Sequence, residues 1–187
     1  MKIRLAASLQ PDSIVDGEGI RTVIWTQGCS HHCKGCHNPE TWSFEDGYLV
    51  DVDSVIKEID SYSYQDGITL SGGDPFYQVD ACALIAKHCK DKNLNVWCYT
   101  GFLYEDLIKD AKMLELLKYI DVLVDGPFVL KERSLDLYFK GSSNQRIIDV
   151  PKSLKENKIV LVSKYNSLKE YNMKKNIDLN IDKKIYK

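Results

Sequence analysis

No apolar run in this chain of 187 residues approaches the roughly 20 residues that a bilayer span requires. No apolar segment follows the charged start Met1-Lys2-Ile3-Arg4, so a secretory leader is not expected. With six cysteines and no export signal, the chain is expected in a reducing cytoplasm. There thiols serve as metal ligands, catalytic groups or small buried hydrophobes. Charge of one sign is also scarce, the formal net charge being −2. Residues 152–187 hold ten Lys and no Arg against Glu156, Glu170, Asp178 and Asp182, which puts +6 on this end and −8 on the rest. Arg forks for phosphate are missing there, and only Tyr165, Tyr171 and Tyr186 interleave, so the end reads as a solvated tail. No nucleic-acid partner and no membrane are expected. What remains is ordinary globular composition, 44% apolar and 28% charged, at a length that suits one domain without disulfides.

The chain alternates strand and helix patterns. Strands are expected at Thr22–Thr26, Gly67–Ser71, Asn95–Tyr99, Ile120–Val124, Arg146–Val150 and Lys158–Val162. Val52, Val55, Ile56 and Ile59 recur at helical spacing after the candidate caps Asp51 and Asp53. Cys82, Ile85, Ala86 and Cys89 form one helix face, and Leu107, Ile108, Ala111, Leu114 and Leu117 another. This order predicts an α/β fold built on a mainly parallel sheet. Sites in such folds lie at the C-terminal ends of strands. Four conspicuous segments fall at such ends: a Cys-rich loop, Gly72-Gly73-Asp74, Thr100-Gly101 and Asp125-Gly126-Pro127. One mouth is expected to collect them.

The Cys-rich loop runs Gly28-Cys29-Ser30-His31-His32-Cys33-Lys34-Gly35-Cys36-His37-Asn38-Pro39. Cys29, Cys33 and Cys36 are spaced C-x3-C-x2-C, which can give one thiolate to each of three irons of a cluster and leave one iron open. The alternative is zinc, with those thiols and one of His31, His32 or His37. A second C-x2-C half, usual in compact zinc sites, is missing. Cys82, Cys89 and Cys98 lie in a helix face and a strand and read as core.

The loop resembles the signature of the radical S-adenosylmethionine (SAM) superfamily. Asp16-Gly17-Glu18-Gly19-Ile20-Arg21 is similar to a segment of glycyl-radical-enzyme activating enzymes, and Ser71-Gly72-Gly73-Asp74-Pro75 to their SAM-binding motif. Asp121–Phe128 and Lys140–Asp149 resemble the activating proteins of anaerobic ribonucleoside-triphosphate reductase. The resemblance covers roughly residues 10–162 and implies an open, partial (βα)6-type barrel over residues 1–162; residues 163–187 match no motif and read as a Lys- and Asn-rich tail, either part of the same domain or outside it. It further implies a 4Fe–4S cluster on Cys29, Cys33 and Cys36, the catalytic and metal-binding residues, with SAM at the open iron. Reductive cleavage of SAM gives a 5′-deoxyadenosyl radical, which takes a hydrogen atom from a glycine of the reductase. The chain has no flavin motif, so a flavodoxin or ferredoxin is implied as electron donor.

The implied SAM contacts are Gly35, Cys36, His37, Gly72, Gly73, Asp74 and Asp125. Gly72 and Gly73 permit close backbone approach to the methionyl part, and Asp74 accepts from its ammonium. Gly35 stands where many members carry an aromatic residue, and His37 is expected to offer its ring near adenine instead. Asp125 meets the ribose or sulfonium, or only forms a turn. Asp16 and Arg21 order the approach to the first strand or contact the substrate loop. His31 and His32 are expected to face solvent, and Trp25 and Trp97 to belong to the sheet.

Overall fold

The computed structural model describes residues 1–166. Its centre is four parallel strands, β3 (Arg21–Thr26), β5 (Gly67–Gly72), β6 (Asn95–Tyr99) and β7 (Val122–Asp125). The flanks are antiparallel: β1 (Lys2–Leu5) pairs with β3 and with β4 (Tyr48–Asp51), β2 (Gln10–Ser13) pairs with β3, and β8 (Arg146–Asp149) pairs with β7. The sheet is therefore mixed, in the order β4-β1-β3-β5-β6-β7-β8 with β2 also on β3. The parallel expectation holds for the centre and not for the flanks.

Helices α1 (Val52–Ser61), α2 (Val79–Asp91), α3 (Tyr104–Leu107) and α4 (Ala111–Leu117) occupy the crossovers between parallel strands, as that geometry requires. Val52, Val55 and Ile59 of α1 and Cys82, Ile85, Ala86 and Cys89 of α2 are buried against Ile24, Ile68, Leu70, Val96, Cys98 and Leu123 of the strands. This layer is the main core. Asp51 stands at the N-cap of α1 without bonding it through its side chain. The stripe Leu107–Leu117 is divided because Asp110 turns extended and accepts from the N–H groups of Lys112 and Met113, starting a new helix. Lys158–Val162 is not a strand; it touches β8 through the bridge Ile148–Leu161. Before it, α5 (Val150–Glu156) starts with Pro151 in its first turn and Asp149 capping the Lys152 N–H.

The opposite face of the sheet carries Trp97, Val124 and Ile147, joined by Tyr99, Phe139 and Tyr165. Tyr165 lies in α6 (Ser163–Asn166) and donates to Glu18 at 2.6 Å. The first residues of the expected tail thus belong to the fold, and the remainder of that tail, 167–187, lies outside the described residues. Among the described residues, no helix is long and apolar enough to cross a membrane.

Candidate metal centre

The loop after β3 closes on itself before any side-chain chemistry is considered. The Gly28 N–H donates to the Thr41 carbonyl at 2.8 Å and the Cys29 N–H to the Trp42 carbonyl at 3.0 Å. The Gln27 amide bonds the carbonyls of Glu40 (3.1 Å) and Ser43 (2.7 Å), sealing the loop's base. Within this frame Cys29 is buried, while Cys33 and Cys36 are half-buried. The Cys36 sulfur accepts from the Asn38 N–H at 3.4 Å. Burial pushes the Cys29 thiol up to about 11 and raises that of Cys33. A metal must displace those protons when it binds.

This donor set fits an iron–sulfur cluster. Thiolates on iron are stabilised by N–H donors to sulfur, and the Cys36 sulfur has one. A cluster seats each thiolate on a different iron, so three thiols of one loop suit it. Cys82, Cys89 and Cys98 are fully buried, and burial raises all three thiols, Cys89 to about 12. They are core residues, as expected.

Asp74 joins the strand ends. It is 0% exposed, and its carboxylate accepts from the Phe76 N–H (3.0 Å), the Thr100 hydroxyl (2.9 Å) and the Gly101 N–H (2.9 Å). Nε2 of His31 lies 2.9 Å from the same carboxylate. His31 therefore does not face solvent; it is held against Asp74 and lies edge-on to Phe102 at 4.6 Å. His32 is exposed, with its ring against Trp42 at 4.7 Å. The Asp74–His31 contact spans 43 residues of sequence, which is why no local pattern announced it.

Gly72 and Gly73 press against the root of the Cys loop. The Gly73 N–H donates to the Thr26 carbonyl at 2.7 Å and the Asp74 N–H to the Gly28 carbonyl at 2.9 Å. A Cβ at Gly73 would sit 2.5 Å from the Gly28 oxygen, a backbone atom that cannot swing aside. The close approach visible here is to the loop itself. Gly73→Ala is expected to destabilise by about 1–3 kcal/mol through overpacking. Urea unfolding checks this; an unchanged midpoint would show that the two segments separate freely.

Asp125 closes the mouth on the far side. Fully buried, it accepts from the Tyr104 N–H at 2.8 Å and from Nε of Arg146 at 2.9 Å. Arg146 also grips Glu105 through both guanidinium nitrogens, at 2.9 and 2.7 Å. Asp125 thus anchors β7 to β8, and Arg146, which carries this network, was not singled out from the sequence. Bonding to Arg146 lowers Glu105 from its ordinary 4.5 to about 2. A depressed acid stabilises the fold above its unfolded value and loses that contribution as pH falls through the folded one. The stability gap between the parent and Glu105→Gln is expected to shrink as pH falls from about 4.5 to about 2. Urea midpoints across that range measure it, and a gap independent of pH would contradict the pairing.

His37 lies against Phe128 at 4.9 Å, and Gly35 leaves room for Leu130, whose side chain a Cβ there would meet at 2.9 Å. Arg21 is buried at the start of β3, where it donates to the Thr69 hydroxyl (2.8 Å), the Glu18 carbonyl (2.9 Å) and the Asn95 carbonyl (2.9 Å). Burial lowers it to about 10. Asp16 accepts from Ser13, and its carbonyl accepts from the Thr69 hydroxyl at 2.7 Å. Both residues order the approach to β3, at the end of the sheet away from the cysteines.

A family model described as a 4Fe–4S single cluster domain matches residues 15–148. The chain is 36% identical over 147 residues to the anaerobic ribonucleoside-triphosphate reductase-activating protein of Haemophilus influenzae, covering 73% of this chain and 92% of that one. The protein of the same name from enterobacteria phage T4 is 36% identical over 146 residues, covering 74% and 90%. That from Escherichia coli is 34% identical over 145 residues, covering 72% and 92%. Among solved structures, QueE from Escherichia coli aligns with a TM-score of 0.43 at 14% identity, over 54% of this chain and 53% of that one. The three thiols lie inside the matched cluster domain. With this identity over nearly the whole length of its relatives, the chain belongs to the family of anaerobic ribonucleoside-triphosphate reductase-activating proteins.

Proposed function

We propose that this protein activates an anaerobic ribonucleoside-triphosphate reductase by radical SAM chemistry. The observation that carries the reading is the set of three thiols in one loop whose root is braced against Gly72-Gly73-Asp74 by backbone hydrogen bonds. Cys29, Cys33 and Cys36 would hold a 4Fe–4S cluster and leave one iron for the amino and carboxylate groups of SAM. When bound there, the cluster would supply the electron for reductive cleavage of SAM, the chemistry that would lead to hydrogen abstraction from a partner glycine.

The chain's own residues do the positioning. Asp74 sets the Cys loop, the turn after β5 and the turn after β6 in one register. A misplacement of about 1 Å in such a frame can cost roughly 100-fold in rate. The backbone of Gly72 and Gly73 is proposed to line the methionyl subsite, with Gly35, Cys36 and His37 toward the adenosine. Asp74 and Asp125 serve these contacts as anchors, since their carboxylates are already engaged. The sheet is proposed to curve as an open, partial (βα)6-type barrel over residues 1–162, wide enough to admit the glycine loop of the partner. A flavodoxin or ferredoxin would deliver the electron, and the six free cysteines suit a cytoplasmic setting.

The test is to mix anaerobically reconstituted protein with SAM, a reductant and the reductase, then record electron paramagnetic resonance. A glycyl radical on the reductase is expected. Formation of 5′-deoxyadenosine without any radical on the reductase would assign a different partner.

A further inference from the structure

Among the described residues, one buried side-chain polar atom lacks a hydrogen-bond partner: the indole Nε1 of Trp42. Native proteins pair nearly all such groups, so an unpaired one calls for an explanation. This indole is part of the Cys loop. The Trp42 carbonyl accepts from the Cys29 N–H at 3.0 Å, and the neighbouring Thr41 carbonyl from the Gly28 N–H at 2.8 Å. His32, between two of the cysteines, lies edge-on to the ring at 4.7 Å. The Trp42 backbone is thus tied to the root of the Cys loop, and its ring lies against that of His32, between two of the cysteines.

We propose that the indole N–H of Trp42 donates a hydrogen bond to a sulfur of the cluster held by Cys29, Cys33 and Cys36. The inference rests on the cluster reading given above. It makes Trp42 a positioning and tuning residue, and its bond would add to the backbone donor at Cys36. A donor to sulfur favours the reduced, more negative state and so raises the reduction potential. Unlike that backbone donor, this one can be removed by substitution.

Trp42→Phe keeps an aromatic ring against His32 and removes the N–H. Parent and variant are reconstituted anaerobically, assayed for iron and titrated for the one-electron couple. The expected result is equal iron and a roughly tenfold lower reduced-to-oxidised ratio at the parent's midpoint, a shift of about 59 mV to more negative potential. Equal iron with an unchanged midpoint overturns the proposal. A parent that holds no cluster overturns both the proposal and the reading beneath it. If the variant does not fold, the parent with nitrogen-15 in its tryptophans decides by pulsed electron paramagnetic resonance. Coupling of nitrogen-15 to the reduced cluster, retained in both Trp25→Phe and Trp97→Phe, supports the bond; its absence overturns it.

Discussion

Cys36→Ala is expected to abolish SAM cleavage and, with it, activation of the reductase. Three sulfurs are available in the loop, and none of the other cysteines can replace one. Cys82, Cys89 and Cys98 are fully buried in the helix-covered core, remote in role and locked as thiols. The loss should exceed the roughly 100-fold typical of groups that merely support metal ligands. Folding should survive, because Cys36 is half-buried in a loop whose frame is made by Gln27, Gly28 and Cys29 with residues 40–43. The checks are iron content, 5′-deoxyadenosine yield and the circular dichroism of the variant. A variant shown to hold no intact cluster, yet making 5′-deoxyadenosine at the parent rate, would remove the cysteine loop from the chemistry.

Asp74→Ala is expected to produce the largest loss of stability, about 3–5 kcal/mol, because several donors lose one shared carboxylate. It strands the N–H groups of Phe76 and Gly101, the Thr100 hydroxyl and the His31 ring together. Each unpaired buried donor costs about 1–3 kcal/mol, against a total stability of about 5–15 kcal/mol for a domain. His31→Ala removes only one of those partners and should leave the fold nearly as stable. It should nevertheless loosen the tie between the Cys loop and the turn after β5, so that iron is lost faster to a chelator. Urea unfolding of both variants, with the rate of iron release, makes the comparison. A cost below about 1 kcal/mol for Asp74→Ala would show that water or backbone shifts replace the carboxylate.

Much of this site is legible in the sequence because its parts are local. The spacing of Cys29, Cys33 and Cys36 lies within one loop, and the strand-ending turns at Gly72, Thr100 and Asp125 each follow a short apolar run. The parallel centre puts those turns at one end of the sheet, where backbone bonds link Gly73 to Thr26 and Thr100 to Val124. What stayed hidden depends on pairing across long stretches. Strand β1 finds β4 over more than 40 residues, and neither four-residue run alternates long enough to stand out. Strand β2 contains Pro11, which suits an irregular edge and weakens any strand pattern. Helix α5 carried its own signal, Asp149 before Val150-Pro151, but the β-branched residues Ile147, Ile148 and Val150 masked it.

The side-chain roles show the same division. Asp74 was recognisable as part of a glycine-rich motif, whereas its engagement by His31 and Thr100 required the fold. Arg21 stood out beside the first strand, yet its partners Ile68, Thr69 and Asn95 lie 47 to 74 residues away. Trp42 offered no pattern at all. Its importance appears only when every other buried side-chain polar atom among the described residues has found a partner.

The central claim is that Cys29, Cys33 and Cys36 hold a cluster with one iron open to SAM. The direct test is electron paramagnetic resonance of anaerobically reconstituted, dithionite-reduced protein, recorded with and without SAM. The account predicts a reduced 4Fe–4S signal that changes when SAM is added. Zinc bound in the loop and no cluster signal would contradict it, and so would a cluster signal indifferent to SAM.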